Sequence, residues 1–341
     1  MSKIEINGGK ELKGIIEVSG AKNAALPLIT AAILSEQTIK FTRVPDLRDV
    51  HSLIELLRDL GASAEYNAKT KKLEINAKNI NNYTASYELV SKMRASVLVL
   101  GPLLARFGEA KVSMPGGCAI GTRPVDLHLS GLEALGAKIE LEGGYVVAKA
   151  PEGGLVGGKF HMNFPSVGAT ENIMMAATLA KGTTILSNVA KEPEIIDLGE
   201  CLNKMGADIK GLGTDTLTIK GKDSLQGTEH EVIADRIEAG TFILASAMTG
   251  CNVKVKGANV NHIDSMIAPL NKSGIDLISA DGVISLIKRN GTIRGVDIIT
   301  EPYPGFPTDM QAQMMTMLTL AEGASMVTET VFENRFMHVP E

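Results

Sequence analysis

One short stretch combines residue types that could do chemistry. Residues 114–124 read MPGGCAIGTRP, which places Cys118 among glycines with Arg123 five residues downstream. Glycine-rich backbone forms loops that can approach a ligand closely. A nearby cation favours the thiolate of a cysteine, which is its reactive form. The stretch indicates either a reactive cysteine on a loop or, as the alternative, a surface loop with an incidental cysteine.

Charged side chains at the starts of predicted helices are a second feature. Lys22 and Asn23 open a helix rich in Ala, Leu and Ile, Arg94 takes the same place in a later helix, and Arg236 with Glu238 lies just ahead of another. Free N–H groups and the helix dipole bind anions at helix N-termini. These positions favour a phosphate or carboxylate ligand, with a solvated lysine or an ordinary salt bridge as the alternative at each.

Acidic residues and one histidine occupy similar places. Asp309 lies in the first turn of an otherwise uncharged helix, after a proline-rich loop, where it could compensate the helix dipole or act as a general base held on rigid backbone. Asp126 could cap the helix that follows the cysteine loop, and His128 could face solvent. A dense polar group near the end of the chain comprises Glu329, Glu333, Asn334, Arg335 and His338.

Composition places the chain among ordinary globular proteins. Its 341 residues are 44% hydrophobic and 21% charged, enough for two domains with filled cores. A net charge of −5 argues against a surface that binds nucleic acid or anionic membrane as a whole. Aromatic residues make up only 4%, so stacking on bases is not the expected binding mode. We predict neither a nucleic-acid nor a membrane partner.

Cysteine usage and hydropathy indicate the compartment. Three cysteines without paired spacing fit neither a disulfide framework nor a zinc site, so a reducing cytoplasm is predicted, with Cys201 and Cys251 as small buried residues. The N-terminus has no apolar core of a signal peptide. The most apolar stretch, residues 96–105, falls short of the roughly 20 residues that span a bilayer. The sequence contains no phosphate loop, dinucleotide-binding or zinc-protease motif.

A long repeat organises the chain. Glycines that close a helix recur at Gly61, Gly136, Gly206 and Gly274, at intervals of 75, 70 and 68 residues. Each predicted unit is a helix, a strand, a second helix and a strand pair. Asp46 is the predicted N-cap of the second helix in the first unit. Only the second unit carries the cysteine loop, inserted between its strand and second helix, which is where repeat proteins tend to place function.

The repeat also predicts that the sequence stops inside a unit. Five first helices are visible, and a fifth closing glycine is expected at about position 345. The chain ends at Glu341. We therefore expect a sequence that is incomplete within its fifth unit, with apolar faces left exposed.

Seven motifs together carry a family resemblance. They are SGAKNAALP, MRAS, PGGCAIGTRPVDLH, SVGAT, DRIEAGTF, PGFPTDMQAQ and ETVFENRFMHV. Over residues 3–341 the chain resembles the enolpyruvyl transferase family, in particular its UDP-N-acetylglucosamine 1-carboxyvinyltransferases. The resemblance implies an α/β fold of six repeated units in a two-domain inside-out α/β barrel, with the active site in the cleft. The domains would be residues 22–231, and residues 1–21 with 232–341, the second one truncated.

The resemblance also implies a reaction. The enolpyruvyl group of phosphoenolpyruvate would pass to the 3-hydroxyl of UDP-N-acetylglucosamine by addition and elimination, with release of phosphate. This is the first committed step of peptidoglycan synthesis, and it would connect the chain with cell wall biogenesis, cell shape and cell division. The resemblance implies no metal or organic cofactor, and we expect a monomeric cytoplasmic enzyme.

Residue roles follow from the resemblance motif by motif. Cys118 would protonate the methylene carbon of phosphoenolpyruvate, and Asp309 would accept the proton of the sugar hydroxyl. Lys22, expected to be catalytic together with Cys118 and Asp309, would also contact phosphoenolpyruvate, as would Asn23, with Arg123 next to its phosphate. The residues expected to hold the UDP-sugar are Arg94, Arg123, Pro124, Val125, Asp126, Leu127, Phe164, Pro165, Ser166, Val167, Asp309 and Val331.

Two alternatives remain at this point. The chain could be a catalytically inactive, truncated UDP-sugar-binding or interaction protein built on the first domain. The sister family, 3-phosphoshikimate carboxyvinyltransferase, shares the repeat but would not be expected to carry the PGGCAIGTRP loop, so it is the weaker enzyme hypothesis.

Overall fold

The structure is a computed structural model that describes residues 5–91, 93–114, 125–289 and 291–340, with the backbone alone at 94 and 287–289. The helices are α1 (Lys22–Ala31), α2 (Arg48–Asp59), α3 (Tyr87–Val90), α4 (Leu100–Phe107), α5 (Asp126–Ala134), α6 (Val167–Ala177), α7 (Pro193–Lys204), α8 (Arg236–Thr249), α9 (Asp264–Lys272) and α10 (Gln311–Leu318). Short 3₁₀ segments cover Ala32–Leu34, Arg94–Val99, Val260–Ile263 and Thr308–Met310.

The strands are short and evenly distributed along the chain. They are β1 (Lys13–Glu17), β2 (Ile39–Thr42), β3 (Ser63–Asn67), β4 (Lys72–Asn76), β5 (Thr84–Ala85), β6 (Glu109–Ser113), β7 (Lys138–Glu142), β8 (Tyr145–Lys149), β9 (Lys159–His161), β10 (Thr183–Ser187), β11 (Asp208–Lys210), β12 (Thr216–Lys220), β13 (Glu229–Glu231), β14 (Asn252–Lys256), β15 (Ile275–Ala280), β16 (Val283–Arg289), β17 (Ile298–Ile299) and β18 (Val327–Thr328). Among the helices in the described ranges, none is both long and apolar enough to cross a membrane.

The predicted repeat of helices and strands is confirmed. Gly61, Gly136, Gly206 and Gly274 each follow a second helix with φ between 86° and 107°, the left-handed conformation that closes a helix. Four sheets share one strand order, in which an edge strand pairs in parallel with a central strand and an antiparallel pair follows. The orders are β13-β2-β4-β3, β5-β6-β8-β7, β9-β10-β12-β11 and β1-β14-β16-β15.

Burial explains the predicted inside-out arrangement. The first helix of each of the first three units, α1, α4 and α6, is largely buried, and α4 and α1 both pack against α6. The sheets cover these helices with one face and present alternate residues to solvent, as in the alternating burial along β12. Within the described part of the chain no sheet closes on itself, so the fold consists of small open sheets around a helical interior.

The hydrophobic core falls into two clusters. One comprises buried residues between 21 and 232, and the other comprises Val18 with residues between 234 and 318. Two chain segments cross between them side by side, with hydrogen bonds of 2.8 Å from Ala21 N to Ile233 O and 3.0 Å from Asp235 N to Ser19 O. As a result β1 pairs with β14 of the second cluster, while β13 pairs with β2 of the first.

The fifth unit contributes β17, α10 and β18 to the second cluster. β17 and β18 form a parallel pair, which corresponds to the edge and central strands of the other sheets. Large apolar side chains here are exposed, among them Leu320, Met326 and Met337.

Two local predictions were wrong. Asp46 does not cap α2, because the helix begins at Arg48 and the Asp46 carboxylate instead contacts His51 Nε2 at 2.7 Å. Arg236 is not ahead of α8 but is its first residue, after the N-cap Asp235.

Candidate active site

The starts of two helices meet where the crossing segments lie side by side. Lys22 is the first residue of α1, and its backbone N–H donates to Asp235 Oδ2 at 3.4 Å. Asp235 Oδ1 accepts from Ile237 N and Glu238 N at 2.9 and 3.0 Å and so caps α8. A single carboxylate therefore satisfies free N–H groups of one helix from each core cluster. The Lys22 ammonium lies 3.2 Å from Asp49 in a half-exposed ion pair.

Asp235→Ala should lower the free energy of unfolding by about 1–2 kcal/mol, because it removes a side-chain cap from α8 and a partner from α1. Chemical denaturation measures this loss. Asn259 is the matched control, since its side chain caps only the short 3₁₀ segment that begins at Val260. A loss for Asp235→Ala no greater than that for Asn259→Ala would contradict the double role of Asp235.

A buried ion pair lies next to this junction. Arg236 Nε donates to Glu194 Oε1 at 2.9 Å, and both side chains are at least nine-tenths buried. The guanidinium also faces the ring of Tyr303 at 5.8 Å. Although burial opposes its charge, the attraction of Glu194, Glu192 and Asp309 raises the pKa of Arg236. Arg236 thus connects the first turn of α7 to the region of Asp309.

Glu171 adds a third acid to this buried region. It lies in α6, and burial raises the pKa of its carboxyl well above the ordinary value, with a further contribution from Glu194 and Glu192. The native state therefore keeps a proton on Glu171 that the unfolded chain loses as the pH rises through the ordinary value.

Because the native state binds the extra proton, Glu171 should make stability fall with rising pH above its unfolded-state pKa, by at most about 1.4 kcal/mol per pH unit. The decrease should end once the pH exceeds the raised native pKa. Glu171→Gln should remove this slope, so that its stability relative to the parent increases with pH. Denaturant midpoints measured at several pH values above the unfolded-state pKa give this slope. Glu200→Gln is the control, because Glu200 is an exposed residue of α7. If the curves of stability against pH ran parallel for the parent and Glu171→Gln, the raised pKa of Glu171 would be contradicted.

Asp309 is held in the 3₁₀ turn that precedes α10. Arg335 Nη2 donates to Asp309 Oδ1 at 2.5 Å, and the two side chains are 18% and 37% exposed, respectively. Glu329 secures the turn from the other side, because its carboxylate accepts from Thr308 Oγ1 at 2.9 Å and from the Val331 N–H at 2.9 Å. The Asp309 carboxylate is therefore fixed in position and still reaches solvent.

The residues predicted to bind the UDP-sugar occupy two further helix starts. The prediction that Asp126 could cap α5 was wrong, because Val125 is buried at the N-cap and Asp126 is the first residue of the helix, where it is exposed. Leu127 is half-buried. Ser166 caps α6 by accepting from Ala169 N at 3.4 Å. The remaining predicted contacts are accessible: Asn23 and Phe164 are exposed, Val331 lies at the margin of exposure, and Pro165 and Val167 are half-buried.

Some predicted residues cannot be placed in this geometry. Cys118, Arg123 and Pro124 lie outside the described residues, as does the side chain of Arg94, whose backbone opens a 3₁₀ segment. The expectation that His128 could face solvent was wrong. His128 is buried, and its Nδ1 lies 3.0 Å from Asn172 Nδ2.

A cleft of about 550 Å³ lies between loops of the two core clusters. Of the predicted site residues that the structure describes, it contains only Pro165. Its lining residues are Pro165, Asn188, Val189, Lys191, Asp215, Glu301, Pro302, Tyr303, Pro304 and Gly305. The cleft therefore borders the Arg236 and Tyr303 contact, while Lys22 and Asp309 lie outside its lining.

The two described cysteines are structural. Cys201 and Cys251 are both buried, as predicted, and burial raises the pKa of the Cys201 thiol to about 12. Such a thiol stays protonated and inert at neutral pH. Across the described residues no group of His, Cys, Asp and Glu has the arrangement of a metal site.

Comparison with known sequences identifies the family. The profile described as EPSP synthase (3-phosphoshikimate 1-carboxyvinyltransferase) matches residues 6–341. A protein of Rhodospirillum centenum named UDP-N-acetylglucosamine 1-carboxyvinyltransferase is 53% identical over 349 aligned residues, which cover 100% of this chain and 81% of the relative. The chain belongs to the UDP-N-acetylglucosamine 1-carboxyvinyltransferase family. A relative of the same name from Acidiphilium cryptum is also 53% identical and is matched over 81% of its length.

Solved structures share the fold of this UDP-N-acetylglucosamine 1-carboxyvinyltransferase family member. The enolpyruvyl transferase NikO from Streptomyces tendae superposes with a TM-score of 0.88 at 23% identity, covering 98% of this chain and 79% of that one. EPSP synthase from Acinetobacter baumannii gives a TM-score of 0.70 at 23% identity, covering 94% and 74%. At this identity the likeness concerns the fold, and it confirms the predicted α/β architecture.

Three residues of the site region, Asp235, Glu194 and Arg335, were not assigned a role from sequence. Asp235 was missed, although Asp235 followed three residues later by Glu238 is the spacing of a capped helix start. The ion pairs of Glu194 with Arg236 and of Arg335 with Asp309 join residues 42 and 26 positions apart, and no local signal predicts such pairs.

Proposed function

We propose that this chain transfers the enolpyruvyl group of phosphoenolpyruvate to the 3-hydroxyl of UDP-N-acetylglucosamine and releases phosphate. The observation that carries the proposal is the 53% identity, over the whole of this chain, to relatives named for that transfer. The name of these relatives specifies the acceptor, UDP-N-acetylglucosamine, and the carboxyvinyl group that it receives. The reaction is the first committed step of peptidoglycan synthesis, and through it the chain serves cell wall biogenesis, cell shape and cell division in the cytoplasm.

The first chemical step needs a base at the sugar hydroxyl. Asp309 is the base in this proposal: one carboxylate oxygen is held by Arg335, and the other, Oδ2, accepts the hydroxyl proton as the oxygen attacks C2 of phosphoenolpyruvate. Cys118 delivers a proton to C3, so that a tetrahedral addition product forms. Loss of a proton from C3 and of phosphate from C2 then yields the enolpyruvyl ether, and atoms and charges balance without an oxidant or reductant.

Anion binding is assigned to the helix starts. Lys22, at the first position of α1, and Asn23 contact phosphoenolpyruvate, with Arg123 beside its phosphate. Lys22 must exchange its contact with Asp49 for the substrate anion. The UDP-sugar lies against the starts of α5 and α6, near Val331 and Asp309, and is also held by Arg94, Arg123 and Pro124. The two domains in this proposal are residues 22–231 and residues 1–21 with 232–341. The division of the core into two clusters, which changes over close to these bounds, supports them.

Phosphate release with two different acceptors tests the proposal. The chain is supplied with phosphoenolpyruvate and either UDP-N-acetylglucosamine or 3-phosphoshikimate. We expect release with the first acceptor, none with the second, and loss of release in Cys118→Ala. Release only with 3-phosphoshikimate would identify the sister activity. Binding of UDP-N-acetylglucosamine without any phosphate release would favour the inactive sugar-binding alternative.

A further inference from the structure

A single buried amide connects three segments that the proposed function places at the UDP-sugar. Asn172 lies in α6 and has no exposed surface. Its Oδ1 accepts from Gly101 N at 2.7 Å, and its Nδ2 donates to Val97 O at 3.2 Å and contacts His128 Nδ1 at 3.0 Å. Val97 belongs to the 3₁₀ segment that begins at Arg94, and His128 lies in the first turn of α5.

The contacts determine which way the amide faces. The backbone N–H of Gly101 can only donate, so the Asn172 oxygen must lie against it and the nitrogen must face the other two partners. The approach is close enough that a side chain is excluded at position 101, where a Cβ would lie 2.3 Å from Asn172 Oδ1. The two N–H bonds of Nδ2 then point to the Val97 carbonyl and to His128 Nδ1.

The amide in turn determines the state of the imidazole. Because Asn172 Nδ2 donates, His128 Nδ1 must accept through its lone pair. The ring is therefore neutral, with its proton on Nε2. The edge of the ring that carries Nε2 faces Gly168, where a Cβ would lie 3.2 Å from His128 Cε1 and 3.4 Å from Nε2. His128 thus fills the space between the first turns of α5 and α6.

We propose that Asn172 and His128 are positioning residues for UDP-sugar binding, with His128 held as the neutral Nε2–H form. The pair sets the separation of three segments: the one that begins at Arg94, the start of α5 with Asp126 and Leu127, and the start of α6 with Ser166 and Val167. This inference rests on the proposed function, because that function assigns the UDP-sugar to these segments.

The tautomer is measured on the unaltered protein. Two-bond ¹H–¹⁵N correlations of histidine-labelled protein distinguish the Nδ1–H, Nε2–H and doubly protonated rings, and loss of the signal in His128→Gln assigns it. We expect the Nε2–H form at neutral pH. A ring protonated on Nδ1 would overturn the inference, and this measurement does not depend on the proposed function.

Binding of UDP-N-acetylglucosamine, followed by titration calorimetry, tests the positioning role. Asn172→Ala should raise the dissociation constant at least about tenfold, since small displacements of binding groups are costly, and should raise KM for the nucleotide sugar more than KM for phosphoenolpyruvate. Asn203→Ala is the matched control, because the Asn203 amide also makes two backbone hydrogen bonds, away from these segments. Its Oδ1 accepts from Ile209 N at 2.9 Å, and its Nδ2 donates to Ile209 O at 3.0 Å. Its dissociation constant should match that of the parent.

The two possible failures are distinguishable. If the parent protein binds UDP-N-acetylglucosamine and Asn172→Ala binds it equally well, the positioning role is overturned while the proposed function stands. If the parent does not bind the nucleotide sugar, the proposed function fails, and the positioning role fails with it.

Discussion

Asp309→Asn should reduce kcat for enolpyruvyl transfer by about 10²- to 10⁴-fold, the usual contribution of a positioned general base. The amide keeps the size of the carboxylate and still offers an oxygen to Arg335, but it cannot accept the hydroxyl proton of the sugar. The dissociation constant of UDP-N-acetylglucosamine should change much less than kcat. Initial rates of phosphate release give kcat, and titration with UDP-N-acetylglucosamine gives its dissociation constant, so the two measurements separate the effect on catalysis from the effect on binding.

Asp297→Asn is the matched control for this substitution. Asp297 is an exposed carboxylate of the same fifth unit, immediately before β17, and it accepts a hydrogen bond from the Met326 N–H at 2.8 Å. Its replacement should leave kcat close to that of the parent. If Asp309→Asn retained the parent kcat, Asp309 would not be the base, and the geometry around Arg335 would have only a structural role.

The second large effect concerns stability. Glu194→Ala should lower the free energy of unfolding by about 3–5 kcal/mol, because it leaves the Arg236 guanidinium charged, buried and unpaired. Urea unfolding monitored by circular dichroism gives this value. A double variant, Glu194→Leu with Arg236→Leu, should recover much of the loss, since replacing both charges by apolar groups removes the unpaired charge.

Glu17→Ala provides the comparison for an exposed pair. Glu17 Oε1 lies 2.9 Å from Lys256 Nζ, the same distance as in the Glu194 and Arg236 pair, but its side chain is 75% exposed. Water already screens this pair, so its removal should have little effect. Equal losses for Glu194→Ala and Glu17→Ala would mean that burial does not set the strength of these contacts.

The repeat could be predicted from sequence because its signals are local. A glycine at the left-handed end of each second helix needs no distant partner to be recognised, and Gly61, Gly136, Gly206 and Gly274 all have the expected conformation. The prediction at Asp46 failed because its carboxylate contacts a neighbouring side chain, His51, and because helix α2 begins one residue later than an N-cap at Asp46 would require.

The arrangement of the site was less predictable. Sequence identified Lys22, Asp309 and the starts of α5 and α6 as separate candidates, and it could not show that one carboxylate, Asp235, lies at the starts of both α1 and α8. It also left His128 as a possible solvent-facing residue. Its burial depends on Asn172, 44 residues away, and such a long-range pair is decided by packing of whole units.

The most direct test of this account follows the reaction in deuterium oxide by NMR. The chain is incubated with phosphoenolpyruvate and UDP-N-acetylglucosamine. Because the proposed addition brings a solvent-derived proton to C3 and the elimination removes one, we predict an enolpyruvyl ether at the sugar 3-hydroxyl, an equal amount of phosphate, and deuterium in its vinyl methylene group. An unchanged nucleotide sugar, or an ether whose methylene carries only protium, would contradict the account.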